Sequence, residues 1–220
     1  VGTITVTASK ATCVSATMQL TVTVKPKPVA SSSLDITRCS SQVYGLNLNT
    51  DGVSIGAANY DITAVVQGGL VGAATTGLAR PANAIFNDVF ANTTASPLTV
   101  TYTVTPPGTN GCVGDPEVIT FIVNPEPVLF NPGIPAICSK EITNIVLGTN
   151  GISVAAASFQ VTTKVYSVDN GVTFTVPVPA NFVDAGNAGL NTPGSINIIK
   201  NDSYTNTRAG SVIVRYTIID

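Results

Sequence analysis

The sequence predicts an all-β chain of sandwich domains strung in a linear array, and three observations carry that prediction. The stretch Cys13–Val29 returns in altered form at Cys112–Val128, 99 residues on (112 − 13 = 99), and Cys39 and Cys138 keep the same spacing (138 − 39 = 99). A fixed period of this size marks a repeated structural unit. Apolar and polar residues alternate, as where Leu20, Val22 and Val24 are separated by Thr21 and Thr23, which is the period of a half-buried strand. The 220 residues are rich in Thr, Val, Ala, Asn and Gly and poor in Leu, Glu and Lys, a composition that suits strands and turns rather than helices.

Taken in order, residues 1–27 are expected to be the closing strands of a truncated repeat that bury the face of Leu20, Val22 and Val24, as their counterparts Ile119, Phe121 and Val123 do. The spacer Lys25-Pro26-Lys27-Pro28 follows, and Asn124-Pro125-Glu126-Pro127 is its counterpart. Alternate prolines fix φ and push the preceding residues toward extended backbone, so both spacers are read as stiff struts of about 3.1 Å per residue. Residues 28–126 form the complete repeat. Its strands are expected at Leu34–Thr37, Val43–Leu48, Asn59–Val66, Leu70–Ala74, Asn83–Phe90, Leu98–Thr105 and Glu117–Val123, with an Asp51-Gly52 turn that returns as Asn150-Gly151. The third strand is expected to bury Tyr60, Ile62, Ala64 and Val66, echoed by Phe159, Val161, Thr163 and Val165. Short strands at this density, separated by turn signals, read as a Greek-key β-sandwich of immunoglobulin type.

Residues 127–220 keep the plan with 15 residues added, since the 21 positions from Val66 to Asn87 become 36 from Val165 to Asn201 (36 − 21 = 15). The added piece holds the hairpin signal Val168–Val172 and a Gly/Asn/Pro-rich run at Asp184–Gly194. Register resumes when Leu98, Val100, Tyr102 and Val104 return as Val212, Val214, Tyr216 and Ile218, 114 residues on (212 − 98 = 114). This repeat lacks its last strand. The strand is expected in residues outside the given chain, because the chain opens inside a strand and reads as a window on a longer polypeptide; strand addition from another chain is the alternative.

Ten basic against twelve acidic residues leave a net charge of −2 and no basic stripe for nucleic acid. No apolar run is long enough for a membrane-spanning helix. With no His and no Trp, the usual general base and the best sugar-stacking platform are missing. Asp115 and Glu117 flank Pro116 at a strand start and read as a solvated strand end rather than a glycosidase pair. Neither catalysis nor a cofactor is expected. Four cysteines without a Cys-x-x-Cys and without histidine do not make a zinc site. A Cys39–Cys112 disulfide is expected, closing 73 residues (112 − 39 = 73) and worth roughly 4 kcal/mol. Cys13 and Cys138 would then pair with residues outside the chain, and an extracellular setting follows. Four buried free thiols are the alternative. Asn87-Asp88-Val-Phe-Ala-Asn92-Thr93 recurs as Asn201-Asp202-Ser-Tyr-Thr-Asn206-Thr207. Asp88, Asn92, Asp202 and Asn206 could offer oxygen to Ca²⁺, but a calcium cage wants more acids, and a turn whose side chains bond their own backbone, with Phe90 and Tyr204 plugging the core, is preferred. Asn92-Thr-Thr94 and Asn201-Asp-Ser203 match the glycosylation acceptor pattern.

Several of these pieces together resemble a known family: Cys39-Ser40 and Cys138-Ser139, Asn92-Thr93, the strand Val100–Pro106, Asn110-Gly111-Cys112, and a closing strand that ends in Asn124-Pro-Glu-Pro127. They resemble the PKD-like and immunoglobulin-like tandem repeats of very large Bacteroidota surface proteins, SprB-type gliding-motility adhesins among them. The resemblance implies stalks exported by type IX secretion, with no catalytic residues. The function expected is a structural stalk or filament segment of a secreted cell-surface adhesin. Its partners would be neighbouring repeats, other copies of the chain or surface glycans, with no nucleic acid and no membrane insertion. The alternatives are a carbohydrate-binding accessory module of a secreted enzyme, or a subunit that polymerises by strand addition.

Overall fold

The computed structural model describes residues 2–133, 135–186 and 188–220. Among them are sixteen strands and no helix, in keeping with the composition. The chain divides into two compact units, Val1–Phe90 with Thr99–Val123, and Ala91–Leu98 with Asn124–Asp220. The N-terminal hairpin thus groups with the complete repeat, and the loop at 91–98 groups with the second spacer, where Glu126 N–H donates to the Asn92 carbonyl at 3.0 Å.

In the first unit, β1 (Gly2–Val6) pairs antiparallel with β4 (Met18–Val22), setting Gly2 opposite Val22, Ile4 opposite Leu20 and Val6 opposite Met18. The short pair β2 (Ser9–Lys10) and β3 (Cys13–Val14) connects them. This register collects Ile4, Val6, Met18, Leu20 and Val22 on one face, since side chains two apart share a face. Burial of that face was the expectation, and the structure corrects it: Leu20 is 47%, Val22 51% and Val24 80% exposed.

The remaining strands of the complete repeat are β5 (Ile36–Cys39), β6 (Tyr60–Val66), β7 (Leu70–Val71), β8 (Gly77–Arg80), β9 (Ala91–Asn92), β10 (Leu98–Thr105) and β11 (Glu117–Asn124). One five-stranded sheet has the order β5-β11-β10-β6-β8. Its inner face presents Val100, Tyr102 and Val104 from β10 and Ile119, Phe121 and Val123 from β11, all essentially inaccessible to solvent, while threonines alternate outward. The opposite wall departs from expectation, because Val43–Leu48 and Asn83–Phe90 are not strands. Gly45 sits at φ +80°, and successive i→i+3 turns run from Pro81 to Asp88 (Ala84 N–H to Pro81 O, Phe86 to Asn83, Asp88 to Ile85). A turn of this kind consumes the N–H groups a ladder would need. The two segments of the wall are joined to each other through Tyr44 N–H to Asp88 O, Gly45 N–H to Phe86 O and Leu48 N–H to Ala82 O, and the wall drives Tyr44, Leu48, Ile85 and Phe90 into the core. Phe121 is central, edge-on to Tyr44 at 5.3 Å and to Phe90 at 5.8 Å.

In the second unit, β14 (Pro193–Gly194), β12 (Phe159–Ser167) and β16 (Ile213–Ile219) form one sheet in that order, and β13 (Phe182–Asp184) pairs with β15 (Tyr204–Asn206). The hydrogen bonds of the complete repeat return at the offsets read from the sequence. Lys140 N–H to Tyr204 O repeats Ser41 to Phe90, Thr143 to Asp202 repeats Tyr44 to Asp88, and Leu147 to Ile196 repeats Leu48 to Ala82. The hairpin signal in the added piece is used: Tyr166 and Thr175 exchange both backbone bonds around Asn170 and Gly171, whose φ angles of +60° and +87° such a turn requires.

The Cys39–Cys112 bridge is corrected as well, since all four cysteines are free thiols. Cys39 lies beside the Ser41–Phe90 hydrogen bond at one end of the irregular wall. Cys112 lies at the other end, where Asp51 N–H meets Val29 O and the loop carrying Cys112 packs on Pro28. A disulfide needs Cα atoms within about 7 Å, and the length of the sheet separates these two. Cys13 and Cys138 are exposed.

Replacing Phe121 by Ala should destabilise the complete repeat by about 3–5 kcal/mol, because a wholly buried ring leaves a cavity that its neighbours cannot fill. Leu20→Ala, at an exposed position, should shift the urea midpoint by an amount close to experimental error.

Candidate functional site

The recurring Asp-Asn signal resolves into two buried polar centres. In the complete repeat the Asp88 carboxylate takes three donors: Tyr102 Oη at 2.5 Å, Thr75 N–H at 2.8 Å and Thr75 Oγ1 at 2.6 Å. In the other unit Asp202 takes Tyr216 Oη at 2.7 Å and Ala188 N–H at 3.1 Å, and Tyr216 is Tyr102 moved by 114 (216 − 102 = 114). Each tyrosine leaves the regular sheet and each aspartate leaves the irregular wall, so one hydrogen bond ties the two layers. Asn92 accepts from Thr94 N–H and Oγ1 and donates to Ser96 O. Asn206 accepts from Arg208 N–H and donates to Gly210 O. These are self-bonded turns. Among the described residues, no group of three or more His, Cys, Asp or Glu side chains could close on one cation.

The second unit adds a feature that alternation did not reveal. β12 carries a bulge between Val161 and Thr163, so Lys164 rather than Thr163 stands opposite Tyr216, the place Ala64 holds opposite Tyr102. The expected inward pair Thr163 and Val165 is therefore corrected: Thr163 is exposed, and Lys164 and Tyr166 turn inward. Lys164 Nζ lies 3.1 Å from Asp184 and 3.5 Å from Asp202, with side-chain exposures of 8%, 15% and 0%. Tyr166 Oη donates to Asp184, and the Tyr204 and Tyr216 hydroxyls bond each other. The ammonium also stands 5.7 Å and 5.4 Å from the Tyr204 and Tyr216 ring centres, favourable cation–π positions. Asp184 belongs to the added piece, so the insertion delivers the carboxylate that the bulged lysine needs. The signal available in sequence was ambiguous, because Val165 and Tyr166 are adjacent and either could continue the apolar face.

Burial, then the bond to Asp88, pushes the Tyr102 phenol well above its ordinary range, and burial likewise raises Tyr166, Tyr204 and Tyr216. Tyr44, whose hydroxyl donates to Leu34 O at 2.5 Å, is pushed by burial to about 12. Each of these hydroxyls is engaged in a hydrogen bond within its own unit.

Two surface features remain. The first is the joint at the leading spacer. Lys27 Nζ contacts both Asp115 carboxylate oxygens at 2.6 and 2.5 Å, Asn110 Nδ2 donates to Pro26 O at 2.7 Å, and Lys25 Nζ reaches Asn110 O at 3.4 Å. Gly114 is packed so closely that a Cβ there would stand 2.3 Å from Pro28 O. Asp115 is thus one end of an ion pair, beyond the solvated strand end read from sequence. All four spacer prolines lie outside regular strands, and at the second spacer an acid, Glu126, stands in the place of Lys27. The second feature is a recess of about 310 Å³ lined by Tyr166, Thr175, Pro177, Pro179 and Arg208. Tyr166 in its wall is buried, with its ring edge-on to Phe182 at 5.8 Å.

Residues 36–127 match the family model of a PKD-like domain, a span that covers the complete repeat from β5 to the second spacer. No curated protein and no solved structure matches the chain.

Lys164→Met should destabilise the second unit by about 3–5 kcal/mol, since it strands two buried carboxylates; urea unfolding followed by Tyr fluorescence reads the loss. Alkali gives a second test. The folded phenol of Tyr44 keeps its proton to about 12 against an ordinary 10.0, so its contribution is complete below pH 10 and is lost as pH rises toward 12. Tyrosinate absorbance should therefore appear together with unfolding, in one cooperative step.

Proposed function

We propose that this chain, with a PKD-like domain at its centre, is a structural segment of a stalk: PKD-like β repeats in single file within a large, secreted, bacterial cell-surface adhesin. The observation that carries the reading is the spacer joint. Two prolines limit backbone freedom, and Lys27, Asn110 and Gly114 clasp the strut to the loop of the following repeat. A binding module needs no such clasp, whereas a load-bearing series of domains does. The polar centres support the same reading, because Asp88 and Asp202 spend their oxygens holding the two walls of each unit together. The work proposed is mechanical, holding a distal adhesive tip away from the cell or moving along the surface in gliding motility, after export by a type IX route.

Negative-stain electron microscopy of the polypeptide is expected to show a rod with evenly spaced beads. A compact globule without a long axis would overturn the stalk. The competing role, a carbohydrate-binding module, rests on the recess beside Arg208; dose-dependent retention on a glycan array that is lost in Arg208→Ala would establish it instead.

A further inference from the structure

The buried lysine of the second unit straddles a carboxyl group rather than meeting one of its oxygens. Lys164 Nζ lies 3.1 Å from Oδ2 and 3.3 Å from Oδ1 of Asp184, which brings the carbon between them within the amine's reach. Oδ1 also accepts from Gly186 N–H at 2.8 Å, and Oδ2 accepts from the Tyr166 hydroxyl. A second carboxylate stands at the same nitrogen. Asp202 Oδ2 is 3.5 Å from Nζ and is held by Tyr216 Oη at 2.7 Å. The side chains of Lys164, Asp184 and Asp202 are 8%, 15% and 0% exposed, so bulk water is kept off the group. Gly186 closes over all three: a Cβ there would stand 2.6 Å from Lys164 Nζ and 2.8 Å from an oxygen of each aspartate. The complete repeat has no such arrangement, since Ala64 takes the place of Lys164 opposite Tyr102 and Asp88 is answered by Tyr102 and Thr75.

We propose that Lys164 and Asp184 are a self-modification site, at which the chain condenses with itself to form an amide between Nζ and Cγ that joins β12 covalently to β13. This goes beyond the stalk reading and does not rest on it. A proton moved from the ammonium to Oδ2 leaves a neutral amine against a carboxylic acid. The nitrogen lone pair forms the bond to Cγ while the C=O electrons move onto Oδ1, at which the Gly186 N–H already points. Asp202 takes a proton from the nitrogen and delivers it to Oδ2; the Cγ–Oδ2 bond breaks and Oδ2 departs as water, with the Tyr166 hydroxyl beside it. Of the three ammonium protons, two leave in that water and one stays on the amide nitrogen. Asp202 ends in the state in which it began, and nothing is oxidised or reduced. Fixed contact between amine and acid replaces a chance encounter. Exclusion of bulk water removes the excess that opposes condensation.

Intact-mass spectrometry of the 220-residue chain, reduced and unfolded in urea after purification in its folded form, reads the bond directly. The mass is expected to fall one water below that of the sequence, and a protease digest should give one branched peptide that joins the segments of Lys164 and Asp184. Hydroxylamine separates this amide from dehydration at Asp51-Gly52, because a succinimide there opens and the amide survives. Lys164→Arg keeps a cation beside both carboxylates but offers no amine to condense, and Asp184→Ala offers no acid; both should carry the full sequence mass. Asp202→Asn should lower the bonded fraction by about tenfold or more. A native chain at its full sequence mass overturns the proposal and leaves an ion pair. Water loss that persists in Lys164→Arg, or that hydroxylamine reverses, overturns it too. An Asp202→Asn chain bonded as fully as the native one overturns the proton transfer given to Asp202. The native chain needs no substitution, so a variant that fails to fold does not shield the proposal. A full-mass chain would leave the stalk reading standing, and the two ideas fail separately.

Discussion

The hydrogen bond from a sheet tyrosine to an aspartate of the facing wall is the interaction on which each unit turns. The wall running through Tyr44 and Asn83–Asp88 has no ladder of its own, so it cannot be positioned by strand pairing. Apolar burial holds it down without direction. Direction comes from Tyr102 to Asp88, and from Tyr216 to Asp202. A carboxylate at this depth is costly unless its oxygens are used. Asp88 is fully engaged, which makes the geometry of the wall specific as well as compact.

The second unit is a variation on this arrangement in which several differences depend on one another. A single bulged residue in β12 rotates Lys164 into the interior. An inward lysine would be untenable alone, and the added segment provides Asp184 beside it while Asp202 is already present. Thr143 stands where the complete repeat has the bulky Tyr44, and its hydroxyl turns to Ile199 O. Apolar volume has been exchanged for a polar network fed by the insertion. With the insertion, Lys164 has two carboxylates beside it instead of Asp202 alone.

How much of this was legible in the residues follows from which forces dominate locally. β10 was readable to its ends because Leu98, Val100, Tyr102 and Val104 alternate without interruption and both faces have definite tasks. The regions at 43–48 and 83–90 were misread as strands because they are equally apolar; the backbone of Gly45 and the turns after Pro81 decide their conformation, and apolar content does not report that. The register of β12 was lost for a similar reason, since Val165 and Tyr166 satisfy either frame. The disulfide was inferred from spacing within a repeat, and spacing along the chain does not tell which end of a sheet a residue reaches. Asp88 and Asp202 were found as a recurrence, but their tyrosine partners lie 14 positions away in sequence (102 − 88 = 14), beyond any local pattern.

The clasp between Lys27 and Asp115 is almost wholly in water, with side-chain exposures of 49% and 80%, and a pair so placed is worth at most about 1 kcal/mol. Such a contact is sensitive to its medium, because mobile ions screen exposed charges within about 8 Å at physiological strength and about 3 Å at 1 M. Rising ionic strength should therefore weaken the attraction between Lys27 and Asp115, while the Asn110 bond and the close fit at Gly114 are uncharged contacts that salt leaves in place.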